Sequence, residues 1–278
     1  MNQVTTTQKL FGILARLISL VAILIILFPI LWLVRMSIMP QVLIYQNPPP
    51  LFFSPTFNSY LKAFYNQRLI DRVFNSLYIS SVATFISVFA GAMSAYGITR
   101  FKMSFARNLP FAFLFLRMVP PISVLLPVFL MYNKYRLIDT YTGLILIYAA
   151  GAAPTVVWMM YGYFRDLPKE IEESAYIDGC GYFRTFIQIV LPITTPAIAS
   201  VAILSFTGAW NEFIMAVALT RTRAMTLPPG VTAWMMSGDL GWDVLSAGGT
   251  VLMIPIIILC VAAQKYFVKG LTVGAVKG

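Results

Sequence analysis

The chain contains no histidine, only two cysteines, and few charges: 11% of its 278 residues are Asp, Glu, Lys or Arg. Each shortage excludes something. Without histidine the commonest metal ligand and general base is missing, which removes Ser-His-Asp and zinc-hydrolase chemistry from consideration. Cys180 and Cys260 have no partner spacing for a disulfide framework or a zinc site. Soluble domains carry about 25% charged residues, so the low value, with a mean hydropathy of +0.80, excludes an ordinary soluble fold. There is no G-x-x-x-x-G-K-[ST] phosphate loop in the sequence, so nucleoside triphosphate binding by this chain is not expected.

What is present is hydrophobic: 59% of the residues are apolar or aromatic, and the formal net charge is +10. In a membrane protein such an excess of cations flanks the spans and meets anionic headgroups. That assignment is preferred here to nucleic-acid binding. The apolar run Leu17–Val34 exceeds a signal-peptide core of about 7–15 residues and approaches the roughly 20 needed to cross a bilayer. We therefore expect a retained first span.

Six spans are predicted, at about Ile13–Ser37, Val73–Thr99, Leu109–Asn133, Tyr141–Phe164, Ile187–Leu219 and Val244–Gln264, the third interrupted by Arg117 and by Pro120, Pro121 and Pro127. In hydrocarbon each must satisfy its own backbone hydrogen bonds, so each is expected to be a helix. Six spans put both termini on one side. Cytoplasmic termini place eleven Lys and Arg inside and eight outside, a shallow bias in the usual direction. The segment from Met39 to Arg72 is expected to be an ordered outer loop with a short helix near Ser59–Tyr65. The stretch Thr220–Asp243, with LPPG and Trp234 and Trp242, is expected to be a second outer loop. There the tryptophans anchor at the interface or pack against a partner. Ser87, Gly91 and Ala95 share one helix face and suit close helix packing. No internal repeat is evident, and residues 1–278 read as a single transmembrane domain.

One polar island interrupts this pattern. Five of the ten acidic residues fall between Asp166 and Asp178. Pro168 suits a first helical turn, Glu170, Glu172 and Glu173 suit the positive end of a helix dipole, and Gly179 and Gly181 suit its termination. A second helical run, Tyr182–Val190, should follow until Leu191–Pro192 breaks or kinks it. The expected product is a short exposed helix, a glycine turn and a helix entering the membrane.

The island resembles the EAA loop of ABC-transporter permeases, of the form E-x-A-x-x-D-G followed by I-x-L-P. Glu173, Ala175, Asp178, Gly179, Ile189, Leu191 and Pro192 carry the match, and Ser174 stands where the family often has Ala. The last ten residues, KGLTVGAVKG, resemble the C-terminus of the maltose permease G-subunit-like carbohydrate importers. RMVPP at Arg117–Pro121 and GAWNEF at Gly208–Phe213 look like segments of the same subfamily. The resemblance implies an all-α integral membrane protein with six transmembrane helices of the type I ABC importer permease fold and a cytoplasmic coupling helix. It implies a coupling loop at about 165–190 and an ATPase-interface tail at about 270–278. It implies an ATPase-coupling role for Glu172, Glu173, Ala175, Asp178, Gly179, Leu191 and Pro192, and an ATPase contact for Gly274, Val276, Lys277 and Gly278. The implied partners are a second permease, two ATPase subunits holding ATP and Mg, an extracytoplasmic sugar-binding protein and a carbohydrate. This chain is then a non-catalytic transport subunit without a cofactor of its own, in the bacterial inner membrane.

For the solute pathway, Arg117 and Glu212 are the charges expected within spans. Asn211 adds a hydrogen-bonding group beside Glu212, and Trp158 and Trp210 offer aromatic faces. The alternatives are an ABC permease for a non-sugar solute or an ion-coupled transporter. The latter usually requires intramembrane carboxylates and broken helices at the midplane.

Overall fold

The computed structural model describes residues 6–66, 68–101, 108–236 and 241–275, and every regular element among them is helical. In chain order these are α1 (Thr6–Ser37), α2 (Gln41–Ile44), α3 (Asn58–Leu61) with a π-turn at Lys62–Asn66, α4 (Leu69–Arg100), α5 (Leu109–Arg117), α6 (Pro121–Lys134) and α7 (Tyr141–Asp166). There follow α8 (Glu170–Ile177), α9 (Tyr182–Thr185), a π-turn at Phe186–Val190, α10 (Leu191–Ile193), α11 (Thr195–Trp210), α12 (Ile214–Leu219), α13 (Leu227–Met236) and α14 (Trp242–Ala275).

Four segments are long and apolar enough to cross a membrane: Phe11–Ser37, Leu69–Arg100, Tyr141–Asp166 and Trp242–Ala262. Two bent pairs bring the number to six if each is one span. The third span is interrupted at its prolines as expected, and the fifth is broken near the expected place. Between α5 and α6 the axis turns by 89°. Pro120 there is extended (φ −61°, ψ 134°), and a proline drives the residue before it away from helical geometry. Between Tyr182–Ile193 and α11 the axis turns by 82°. This bend falls at Thr194, two residues beyond the expected break at Leu191–Pro192. The π-turn at Phe186–Val190 shifts the hydrogen-bond ladder just ahead of Pro192, so the helix passes through the proline. At Thr194 and Thr195 the hydroxyls donate to the carbonyls of Val190, Leu191 and Pro192, supplying partners where the helix ends.

The chain divides into two compact units. One comprises Met1–Leu69 and Val231–Met253. Here most of α1's apolar side chains are uncovered, Phe11, Ile18 and Ile25 among them, while Trp32, Leu33 and Met36 near its end are half-buried, as suits a helix largely in lipid. The expected short helix after Ser59 is α3 with its π-turn. Ser59 Oγ donates to Asp243 Oδ2 at 2.8 Å. Trp234 is buried rather than an interface anchor: a Cβ on Gly248 would lie 2.8 Å from its ring. Trp242 stays half exposed.

The other unit comprises Ile70–Gly230 and Ile254–Gly278. Its α4 presents the expected small-residue face to α7, and a Cβ on Gly91 would stand 2.5 Å from Val156 Cγ1. One apolar cluster gathers Tyr96, Val156, Met160, Phe164, Phe186 and Val190 near the ends of α4 and α7. A second gathers Ile79, Leu144, Tyr148, Met215 and Leu219 farther along them. The LPPG segment, expected in a loop, instead opens α13, where Pro228 and Pro229 occupy the first turn and need no N–H. The Leu227 N–H donates to Ser76 Oγ at 2.6 Å.

Candidate functional site

The polar island folds as its composition requires. Lys169 supplies the first carbonyl of α8, accepting the N–H groups of Glu172 and Glu173 at 2.9 Å each. Helical spacing then divides the acidic residues between two faces. Glu172 and Ala175 turn inward, at 2% and 4% exposure. Glu173, Ile177 and Asp178 turn outward, with Ile177 86% exposed.

The inward carboxylate is fully engaged. Arg100, on the last turn of α4, donates from Nε to Glu172 Oε1 at 2.7 Å and places Nη2 2.6 Å from the same oxygen. Tyr96 Oη donates to Oε2 at 2.8 Å, and Tyr176 Oη reaches it at 3.5 Å. Arg100 Nη2 also donates to the Leu167 carbonyl at 3.4 Å, in the connector between α7 and α8. Rings close around the group: Tyr96 meets Phe186 at 4.9 Å and Phe164 at 5.8 Å, and Tyr176 meets Tyr182 at 4.9 Å. Burial pushes the Tyr176 phenol above its ordinary value and the Glu172 charge adds to this, while a hydrogen bond with Tyr96 opposes them.

Gly179 ends α8 at φ +83°, a left-handed conformation that favours glycine. Its N–H donates to the Tyr176 carbonyl at 3.1 Å, and that of Cys180 to Ala175 at 2.9 Å, the two bonds of a Schellman close. The turn sends the chain into α9 with Tyr182 58% and Phe183 63% exposed. Together with Ile177 they form an apolar outward surface beside Glu173 and Asp178. Farther on, Leu191 is half-buried and Pro192 exposed.

The seven residues expected to couple all lie in or just beyond this acidic helix and turn, whereas Tyr96 and Arg100, which hold Glu172, are not anticipated. A tyrosine and an arginine four apart at the end of a span, ahead of an acidic cluster, were the available signal. In the tail, Gly274 falls in the last turn of α14, and Val276, Lys277 and Gly278 lie outside the described residues.

The pathway candidates form two groups. Arg117, at the end of α5, donates to Thr155 Oγ1 on α7. Trp158, one turn on, packs edge-on against Phe111 at 5.5 Å and borders a cavity of about 390 Å³ with Tyr161 and Arg165. Trp210 is 1% exposed and stacks on Phe206 at 5.8 Å, so its ring meets protein instead of the open face expected for a solute. Asn211 is exposed and donates to the Thr207 carbonyl at 3.0 Å. Glu212 caps α12, accepting the N–H groups of Met215 and Ala216 at 2.9 and 3.0 Å. A capping carboxylate satisfies amides that a helix start leaves open, which accounts for this acid without a solute. A larger apolar cavity of about 470 Å³ lies between α4 and α11, lined by Phe85, Phe89 and Phe206.

The chain is similar to several known proteins. The trehalose/maltose transport system permease protein MalG of Thermococcus litoralis is 32% identical over 258 residues, spanning 91% of this chain and 92% of that protein. The arabinooligosaccharides transport system permease protein AraQ of Halalkalibacterium halodurans is 34% identical over 260 residues, spanning 91% and 92%. A crystal structure of a bacterial ABC transporter involved in the import of the acidic polysaccharide alginate shares the fold, with a TM-score of 0.81 at 21% identity over 96% of this chain and 100% of that one. Residues 83–273, which contain the anchored acidic helix, match the family described as binding-protein-dependent transport system inner membrane component, and the chain belongs to that family.

Proposed function

We propose that this chain is the permease subunit of an ATP-driven carbohydrate importer. It forms the sugar pathway with a second, different permease and receives sugar from an extracytoplasmic binding protein. Two ATPase subunits, which carry ATP and Mg, dock on the outward face of α8 and α9. The observation that carries this reading is the division of the acidic helix: one face is bonded to its own chain, while the other offers Ile177, Phe183, Glu173 and Asp178 outward. A short amphipathic helix so presented suits a groove on a partner. The named relatives handle trehalose, maltose or arabinooligosaccharides, which points to a di- or oligosaccharide.

On this reading α8 and both termini are cytoplasmic, and the tail through Gly274, Val276, Lys277 and Gly278 meets the ATPase pair. The chain catalyses no reaction of its own, and hydrolysis stays on the partners. Arg117 and Asn211, both exposed, are our candidates for the sugar pathway. The test is purification of the tagged chain from its host in mild detergent. Recovery of a phosphate-loop ATPase with a second six-span permease is expected. Recovery of the chain alone, where a control importer stays assembled, overturns the reading.

A further inference from the structure

Glu172 belongs to the segment that resembles a docking loop, yet its contacts are those of an internal anchor. Its carboxylate has both oxygens occupied, one by Arg100 and the other by the Tyr96 and Tyr176 hydroxyls. The ion-paired side chains are 7% and 3% exposed, which leaves no open side for a partner. Two of the bonding residues, Tyr96 and Arg100, lie 76 and 72 positions earlier in the chain, on the last turns of α4. Arg100 also holds the Leu167 carbonyl. One guanidinium thus ties α4, the α7–α8 connector and α8.

Such a joint differs in kind from apolar packing. Apolar side chains can repack against a new neighbour, whereas a buried charge pair tolerates separation poorly, because each partner is then left desolvated and unpaired. Any displacement of α8 must carry the end of α4 with it or break the pair. α4 is fixed on one side by the close approach of Gly91 to Val156. Elsewhere it borders the 470 Å³ cavity shared with α11, where repacking is sterically open.

We propose that the Arg100–Glu172 ion pair, completed by Tyr96, is the joint that makes α8 and the adjoining end of α4 move as one body. Glu172 is then a positioning residue that transmits motion within the subunit, while docking falls to the outward residues. This inference rests on the permease reading above.

The test uses the complete importer in nanodiscs, with Cys180 and Cys260 replaced by serine. Spin labels are placed at Ser94→Cys on α4 and Ser174→Cys on α8, both exposed. Their separation is measured without nucleotide and with Mg, ATP and vanadate. With the joint intact, the distance between the two states is expected to change by less than about 2 Å, the scale of small helix shifts. In Glu172→Ala the same comparison is expected to show a shift of more than about 5 Å, one helical turn, with the ATPase still bound. If Glu172→Ala fails to assemble, Glu172→Gln, which keeps the acceptor oxygen but not the charge, is expected to show the same shift at reduced size. A separation that changes as much with the joint intact as in the variant overturns the proposal. So does an assembled variant whose separation stays fixed, or one that keeps the second permease but has lost its ATPase. A preparation with the joint intact that contains no phosphate-loop ATPase sinks the permease reading instead, independently of the joint.

Discussion

Two carboxylates sit just beyond the two ends of α7, and they are held in opposite ways. Glu172, past its C-terminal end, is neutralised by a side chain from a distant helix. Asp139, just before its N-terminal end, has a left-handed backbone (φ +56°) and accepts the backbone N–H groups of Arg221, Thr222, Arg223 and Ala224. It also accepts the Thr222 hydroxyl at 3.3 Å. Burial works against the Asp139 charge, and the four amides outweigh it, so its carboxyl is held below the ordinary value. One end of the helix is therefore fastened by a charge pair that one substitution removes from either side. The other is fastened by a nest of amides that no side-chain change in Arg221–Ala224 abolishes. The first arrangement joins separate helices, and the second fixes the shape of a loop.

The largest effect is expected where the charge pair is broken. Glu172→Ala strands a buried guanidinium and should destabilise the protein by about 3–5 kcal/mol, read as thermal unfolding in detergent. Glu173→Ala, one residue away on the exposed face, should change stability by less than about 0.5 kcal/mol. Equal effects would dissolve the division of α8 into an anchoring and a presenting face.

Next is the helix contact that holds α4 against α7. Gly91→Ala places a Cβ 2.5 Å from Val156 Cγ1 and 2.9 Å from Val156 Cβ, an overpacking expected to cost about 1–3 kcal/mol. Val156→Ala in the same chain should recover part of the loss, as a double-mutant cycle would show.

Asp139→Ala should cost about 1–2 kcal/mol by releasing several amides at once, visible as faster amide exchange at Arg221–Ala224. Because the folded carboxyl is held low, its contribution is fully present above about pH 4, the unfolded value, and is lost as pH falls through the lower folded one. Protection of those amides, relative to their intrinsic exchange, should therefore fall below about pH 4 in the native chain and show no such step in Asp139→Ala.

The smallest effect separates two glycines. A Cβ at Gly179 meets nothing within 4 Å, so Gly179→Ala carries only the strain of φ +83°, about 1 kcal/mol. Gly181→Ala, equally unobstructed at φ −76°, should be close to neutral in the same unfolding assay.

Much of this was legible because the signals are local. Apolar runs of spanning length, the acidic cluster after Pro168 and the turn at Gly179 depend on near neighbours, and the helices and the Schellman close follow from them. The bends were harder to read. Pro120 and Pro121 marked one, but the bend after α10 sits at Thr194 because a π-turn lets the helix absorb Pro192. The sequence offers Trp210 as an aromatic face for a solute and Trp234 as an interface anchor or partner contact, and only the packing of Phe206 and Gly248 shows that both are enclosed within the chain.

The sequence by itself determined the membrane class, the helical form of the spans and the place of the short acidic helix, since hydrocarbon and short-range hydrogen bonding leave few alternatives. The tertiary structure decided which acid in that segment faces inward. Glu172 and Glu173 are adjacent and chemically alike. Their roles separate only when α4 brings Tyr96 and Arg100 to one of them and burial makes that pairing obligatory.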